Sequence, residues 1–251
     1  MIERSSDDHG VVTLQFQHGK ANALDLELCR ALASELESLH DASALILTGT
    51  GSIFSAGVDL FRVVNEGPSY VRAFFPALAD MIRTLFTFPR PVIAAANGHA
   101  IAGGCIMVLA ADYRLMADGK GRIGVPELLV GVPFPAFALE AVRYAVPACA
   151  QSLILTGKTL TPADALDCGL IDEILEPASL LMRAAEVAAQ MSAIPRATFL
   201  LTKQQLRAPA VDRADRLGVA IDPAALEIWA SESTRTQIRA YLERTVRKSA
   251  L

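Results

Sequence analysis

The sequence predicts an α/β protein: a largely parallel sheet covered by helices, continued by an all-helical C-terminal part. Three observations carry that prediction. Short apolar runs alternate with longer segments of helical spacing through residues 1–190. Glycine-bearing loops follow several of those runs, as expected where a buried strand turns into a helix. Residues 191–251 then read as amphipathic helix with short breaks, a helical region behind the α/β core.

Val11 to Gln17 alternates apolar and polar residues and is expected as a strand with one wet face. Asp25 to Leu39 carries Leu28, Leu32, Leu36 and Leu39 at helical spacing, with Asp25 placed as the cap. Ala44 to Thr48 is a short apolar run that ends in Gly49-Thr50-Gly51, so it reads as a buried strand. Tyr70 to Phe88 has helical spacing interrupted by Pro76. Its apolar face, with Phe74, Phe75, Leu78, Met81, Ile82 and Leu85, suits a core helix or the lining of an acyl tunnel. Pro91 to Ala96 is a second buried strand, a helix follows Gly103-Gly104, and Tyr113 to Met116 returns as a strand. Thr161-Pro162 opens a short helix that stops near Gly169. Leu170 to Leu175 is the last strand expected, and beyond Pro177 breaks are expected at Pro195, Pro209 and Pro223.

Composition narrows the function. The 251 residues are 52% hydrophobic and 20% charged, so disorder is excluded by the apolar surface available for burial. With 23 basic and 27 acidic residues the net charge is −4, too mild and too mixed for a nucleic-acid binder. Any anionic ligand must therefore be held by local positive groups. Cys29, Cys105, Cys149 and Cys168 are scattered and read as small hydrophobes in a reducing compartment. His9, His18, His40 and His99 lack the spacing of a zinc site, and no metal is expected. The N-terminal MIERSSDDHG is too polar for a secretory signal. The longest apolar run, Ile101 to Ala111, is far below the roughly 20 residues of a membrane span. A soluble, cytoplasmic protein is expected, with no membrane partner.

The chain has neither the G-x-x-x-x-G-K-[ST] phosphate loop nor the G-x-S-x-G nucleophile elbow, and Phe54 occupies the third glycine position of a dinucleotide fingerprint. What remains is a pair of loops, Phe54 to Leu60 and Asn97 to Cys105, each combining small residues with a following helix. Free N–H groups at those helix starts could converge on one point as an oxyanion hole. The same glycines would equally serve tight strand–helix turns and close packing.

Four segments in order carry a family resemblance: Gly19-Lys20-Ala21-Asn22-Ala23-Leu24, Phe54-Ser55-Ala56-Gly57-Val58-Asp59-Leu60, Asn97-Gly98-His99-Ala100-Ile101-Ala102-Gly103-Gly104-Cys105, and Val125-Pro126-Glu127 with Gly131. Leu153-Thr156-Gly157 and Ala165-Gly169-Leu170 continue the match, which spans essentially the whole chain. The sequence resembles the enoyl-CoA hydratase/isomerase, or crotonase, superfamily. The resemblance implies a spiral of ββα units, a C-terminal trimerisation region, and a homotrimer or dimer of trimers. It also implies acyl-CoA thioester substrates, with no cofactor beyond the coenzyme A that the substrate carries.

By the same resemblance the oxyanion donors are the backbone N–H groups of Val58 and Gly103. Hydratases of the family resemble one another in having two glutamates. Here those positions hold Ile106 and Glu127. Two carboxylates hold and activate a water, whereas one beside an enolate-stabilising site suits a proton shuttle. The motifs thus resemble the Δ3,Δ2-enoyl-CoA isomerase branch, as do Ala111 to Arg114 and Tyr241-Leu242-Glu243-Arg244, although that branch's proline is replaced at Ile101 or Ala102. Glu127 is the expected catalytic residue; its place after Pro126 would also suit a first-turn glutamate favoured by the helix dipole. Coenzyme A contacts are expected from Lys20, Ala56, Asp59, Arg62, Tyr241 and Arg244, with Asp59 also placed to cap the following helix. His99 is expected to touch backbone only, and Glu140 is a weaker candidate for a second acid. Leu200, Leu201, Leu206, Leu226, Ile228 and Trp229 make the C-terminal helices too apolar for a monomer's surface, which points to an oligomer.

Overall fold

The computed structural model describes residues 1–249. In chain order the elements are β1 (Ile2–Ser6), β2 (Val11–Phe16), α1 (Leu26–Ser38), β3 (Ala44–Thr48), β4 (Ile53–Ser55), α2 (Leu60–Phe86), β5 (Val92–Ala96), β6 (His99–Ile101), α3 (Gly103–Ala110) and β7 (Tyr113–Ala117). They continue with β8 (Ile123–Gly124), α4 (Glu127–Val130), α5 (Ala136–Ala145), α6 (Ala150–Thr156), β9 (Thr159–Leu160), α7 (Pro162–Asp167), β10 (Glu173–Leu175), α8 (Leu180–Ser192), α9 (Arg196–Ala230) and α10 (Glu232–Ser249).

The large sheet runs β1-β2-β3-β5-β7-β10 and is parallel except for the β1–β2 pair. Every residue of β3 and β5 is buried, as expected of central strands covered on both faces. On one face α8 lays Leu180, Ala184, Val187 and Ala188 against Val11, Ala44, Ile46, Ile93 and Ala95. On the other, α1, α2 and α3 bury Leu28, Leu32, Phe74, Ile82 and Met107 in the main core. That core also takes in Ala210, Ala214, Trp229 and Ile238 from α9 and α10. Trp229, expected on an apolar outer face, is therefore interior. Leu201, Leu206 and Ile228 do lie exposed.

The capping signals act as the sequence requires. Asp25 accepts from the Leu28 N–H at 2.8 Å. Thr161 and Asp164 form a reciprocal capping box around Pro162. Pro195 marks a break as expected, standing before the first residue of α9, but the other prolines act differently from expectation. The long helix begins at Leu60 rather than near Tyr70, bent where Gly67 (φ 71°) precedes Pro68. A residue before proline is disfavoured in helical geometry, and glycine takes the left-handed conformation cheaply. Pro76, Pro209 and Pro223 all lie within helices rather than ending them. Proline removes one hydrogen bond, and tertiary anchors hold α9 on course through the loss. Lys203 Nζ pairs with Asp112 at 2.6 Å, and Arg207 pairs with the same carboxylate at 2.7 Å.

A second sheet, β4-β6-β8-β9, has strands of only two or three residues. Strands of so few residues show no alternation. Strands β4, β6 and β8 are parallel to one another. Their C-terminal ends open into the loops that matter: Ala56-Gly57-Val58 after β4, Ala102-Gly103 after β6 and Val125-Pro126-Glu127 after β8. Ligands in open α/β sheets gather at the carboxyl ends of strands. Among the described residues no helix is long and apolar enough to cross a membrane.

Candidate active site

Glycines let the first two loops touch. A Cβ at Gly57 would lie 2.6 Å from the Ile101 carbonyl oxygen and 3.2 Å from the Gly103 nitrogen. A Cβ at Gly104 would lie 2.5 Å from the Ser55 carbonyl oxygen. Real Cβ contacts do not come so close, so both positions need glycine for approach as well as for turning. Ser55 ties the first loop down: its hydroxyl donates to the Asn22 carbonyl at 2.7 Å and accepts from Gly57 N–H at 3.1 Å. The loop is also bridged to Leu24, whose N–H donates to the Gly57 carbonyl at 2.7 Å. Ala102 holds φ at 52°, an uncommon angle for a residue with a Cβ, and it turns β6 into α3.

This turning leaves donors free. Within the described residues the N–H groups of Val58 and Gly103 donate to no protein acceptor. For Gly103 the reason is general, since the first N–H groups of a helix have no partner inside it. Both residues line one cavity of about 90 Å³ together with Ala56, Ile106, Glu127 and Tyr241. The rest of that wall is apolar, including Leu78, Phe134, Ala138 and Trp229. Of the expected tunnel face on α2, Leu78 reaches the cavity, while Phe74, Phe75, Met81, Ile82 and Leu85 are core.

Glu127 is the carboxylate of this cavity. It begins the four-residue α4, is buried, and its Oε2 has no hydrogen-bond partner. Burial pushes its carboxyl up to about 8, because the charged form loses its hydration and gains no cation. Ile106, one turn into α3, is 3% exposed and faces the same space with an apolar side chain.

The other expected residues divide. Tyr241 reaches the cavity from α10 of the same chain. Asp59 caps α2, its carboxylate accepting from Arg62 N–H at 3.1 Å. Arg62 lies outside the cavity wall with its guanidinium committed: it pairs with Glu27 and Glu66, approaches Asp25 at 3.4 Å, and sits 4.7 Å over the Tyr70 ring. These carboxylates, Glu66 foremost, raise its already high pKa further. Lys20 and Arg244 are exposed and lie off the cavity wall. His99 accepts the Arg122 backbone N–H at 3.2 Å, a loop role. Glu140 pairs with Arg143 at 2.9 Å and with Arg213 at 2.5 Å, which makes it a buried structural anion. The sequence reading missed the parts played by Phe134 and Trp229. Neither carries a signal that separates pocket wall from core.

Two N–H groups without a protein acceptor, one buried carboxylate and an apolar recess thus meet in a single cavity. The sequence model of the enoyl-CoA hydratase/isomerase family matches residues 6–248, and the chain belongs to that family. It is 29% identical over 254 residues to the mitochondrial enoyl-CoA delta isomerase 1 of Rattus norvegicus, an alignment covering 99% of this chain and 88% of the relative. It is 30% identical over 234 residues to a putative enoyl-CoA hydratase of Thermus thermophilus, covering 90% of this chain and 91% of that one. The crystal structure of human mitochondrial delta3-delta2-enoyl-CoA isomerase superposes with a TM-score of 0.90 at 27% identity, covering 98% of each chain. The crotonase-like α/β fold expected from the sequence is the one observed.

Proposed function

We propose that the protein moves the double bond of a 3-enoyl-CoA to the 2-position, with Glu127 as its single proton-transferring side chain. The observation that carries this reading is the cavity's one carboxylate, buried without a cation, opposite an isoleucine at the position where a second acid would stand. In this scheme the ionised Glu127 removes a proton from C2. The electron pair spreads over C2 to C4 and the thioester oxygen, giving a dienolate. The Val58 and Gly103 N–H groups donate to that oxygen, and each such donor is worth about 3–4 kcal/mol in a water-poor site. Glu127, now neutral, returns the proton at C4, and the double bond rests between C2 and C3. A base poised near neutral pH suits both halves of such a transfer.

Acyl-CoA thioesters are the substrate class of the family, and the chain is proposed to assemble as a trimer or dimer of trimers. Lys20 and Arg244 are proposed as cationic contacts for the coenzyme A moiety, since both are exposed and a net-negative protein must hold this polyanion locally. Hydration is the second reading, favoured by the likeness to the putative hydratase of Thermus thermophilus. Ile106 stands against it, because it cannot orient a water. Ultraviolet absorbance on mixing with 3-enoyl-CoA and with 2-enoyl-CoA separates the two. Appearance of the conjugated thioester from 3-enoyl-CoA is expected. Faster loss of conjugation from 2-enoyl-CoA would replace isomerisation by hydration.

A further inference from the structure

The recess that receives the acyl chain is small, and one side chain on its wall is held unusually firmly. Trp229 sits at the C-terminal end of α9, 3% exposed. Its indole Nε1 donates to the Pro133 carbonyl at 2.7 Å. Its ring packs edge-on to Phe75, with centroids 6.0 Å apart, and tilts against Phe74 at 6.4 Å. Moving it aside would break a hydrogen bond and two aromatic contacts at once, so it is a fixed wall rather than a gate.

Volume sets the consequence. A dry cavity of about 150 Å³ accommodates benzene. On that scale the cavity's volume, about 90 Å³, holds roughly four carbons. Double-bond migration requires the carbonyl carbon and the next three carbons near Val58, Gly103 and Glu127, so the reacting atoms already fill the space. A longer tail meets Leu78 from α2, Phe134 and Trp229.

We propose that Trp229 is a specificity-determining residue that restricts the site to short-chain enoyl thioesters, on the order of four to six carbons. This rests on the preceding reading of the cavity as an acyl-CoA site. While a recess has room, each added methylene raises affinity about fourfold; beyond it the gain stops or reverses.

The test is calorimetric titration with saturated butanoyl-, hexanoyl- and decanoyl-CoA, which bind without turning over. The native protein is expected to bind hexanoyl-CoA at least about tenfold more tightly than decanoyl-CoA. In Trp229→Leu and Trp229→Ala that gap should shrink to about threefold or less, because the lost indole opens the recess. Should both prove unfolded by circular dichroism, Leu78→Ala widens the same recess from α2 and should shrink the gap in the same direction. Equal or tighter binding of decanoyl-CoA by the native protein would overturn the chain-length limit alone. A gap unchanged in a folded widened variant would remove these side chains as its cause. Absence of binding by all three thioesters would instead refute the cavity as an acyl-CoA site, and this proposal with it.

Discussion

Two glutamates lie buried close together in the chain, and their surroundings differ in one respect. Glu140 on α5 is 1% exposed, and both its oxygens are met by guanidinium groups, from Arg143 and Arg213. Glu127 at the head of α4 is 7% exposed, with no cation and with one oxygen unpartnered. Burial is thus common to both, and only the compensation is missing at Glu127. The paired one serves the fold through its two ion pairs. Burial without a counter-ion raises the carboxyl of the unpaired one toward neutral pH, and groups perturbed in this way mark candidate functional sites.

Amide substitution separates the two residues most widely. Glu127→Gln keeps size and polarity but cannot take a proton. Turnover of 3-enoyl-CoA, followed by absorbance, should fall by about 10²–10⁴, with acyl-CoA affinity by calorimetry changed by less than about threefold. Near-native turnover would place the base elsewhere.

A smaller effect sharpens the comparison through pH. Because burial raises the Glu127 carboxyl to about 8, the free protein holds it largely protonated at pH 6. As a base it must be ionised, so kcat/KM should climb about tenfold per pH unit below that value and level off above it. The same shift acts on stability with a definite sign. A folded value above the ordinary 4.5 favours the fold at low pH, and that advantage is lost as pH rises through about 8. Thermal midpoints measured from pH 5 to 9 should therefore decline more in the native protein than in Glu127→Gln. A profile of kcat/KM that is flat from pH 6 to 8 would mean the carboxylate is not the reacting group.

The smallest effect belongs to Glu140→Gln. Both arginines are about half exposed and can return to water once unpaired, so the loss is well below that of a fully enclosed pair. About 1–2 kcal/mol is expected, a few degrees in Tm by calorimetry, with turnover retained. A large loss of turnover with the fold intact would make Glu140 part of the chemistry and erase the distinction.

What the sequence made legible follows from how local each signal is. The caps at Asp25 and Thr161 are written within four residues of the helices they start, and both could be read directly. The glycine loops were legible for a different reason: the close approach of their backbones demands small residues there. The small sheet was not, because two- and three-residue strands such as β8 show no period. Pro209 and Pro223 looked like breaks, since the contacts that hold α9 near them join positions about ninety residues apart in the chain: Lys203 and Arg207 on Asp112 ahead of Pro209, and Asp222 on the Ala136 N–H beside Pro223. Arg62 was a candidate contact in the sequence; its pairing with Glu66, one turn on, could have been read locally, whereas Glu27 reaches it from the start of α1 only in the folded chain. Glu127 needed both levels: its identity was in the motif, its missing counter-ion only in the packed structure.

The hydrogen bond from Trp229 to the Pro133 carbonyl spans 96 residues. Its consequence concerns the order in which the protein comes into being. A chain emerging N-terminus first presents both glycine loops and the Glu127 turn long before the indole that walls the recess. The half-synthesised molecule holds Glu127 and both glycine loops yet lacks the far side of the chamber. Closure of the cavity is consequently tied to the arrival of α9, and a chain that stopped short of Trp229 would leave this wall open to water.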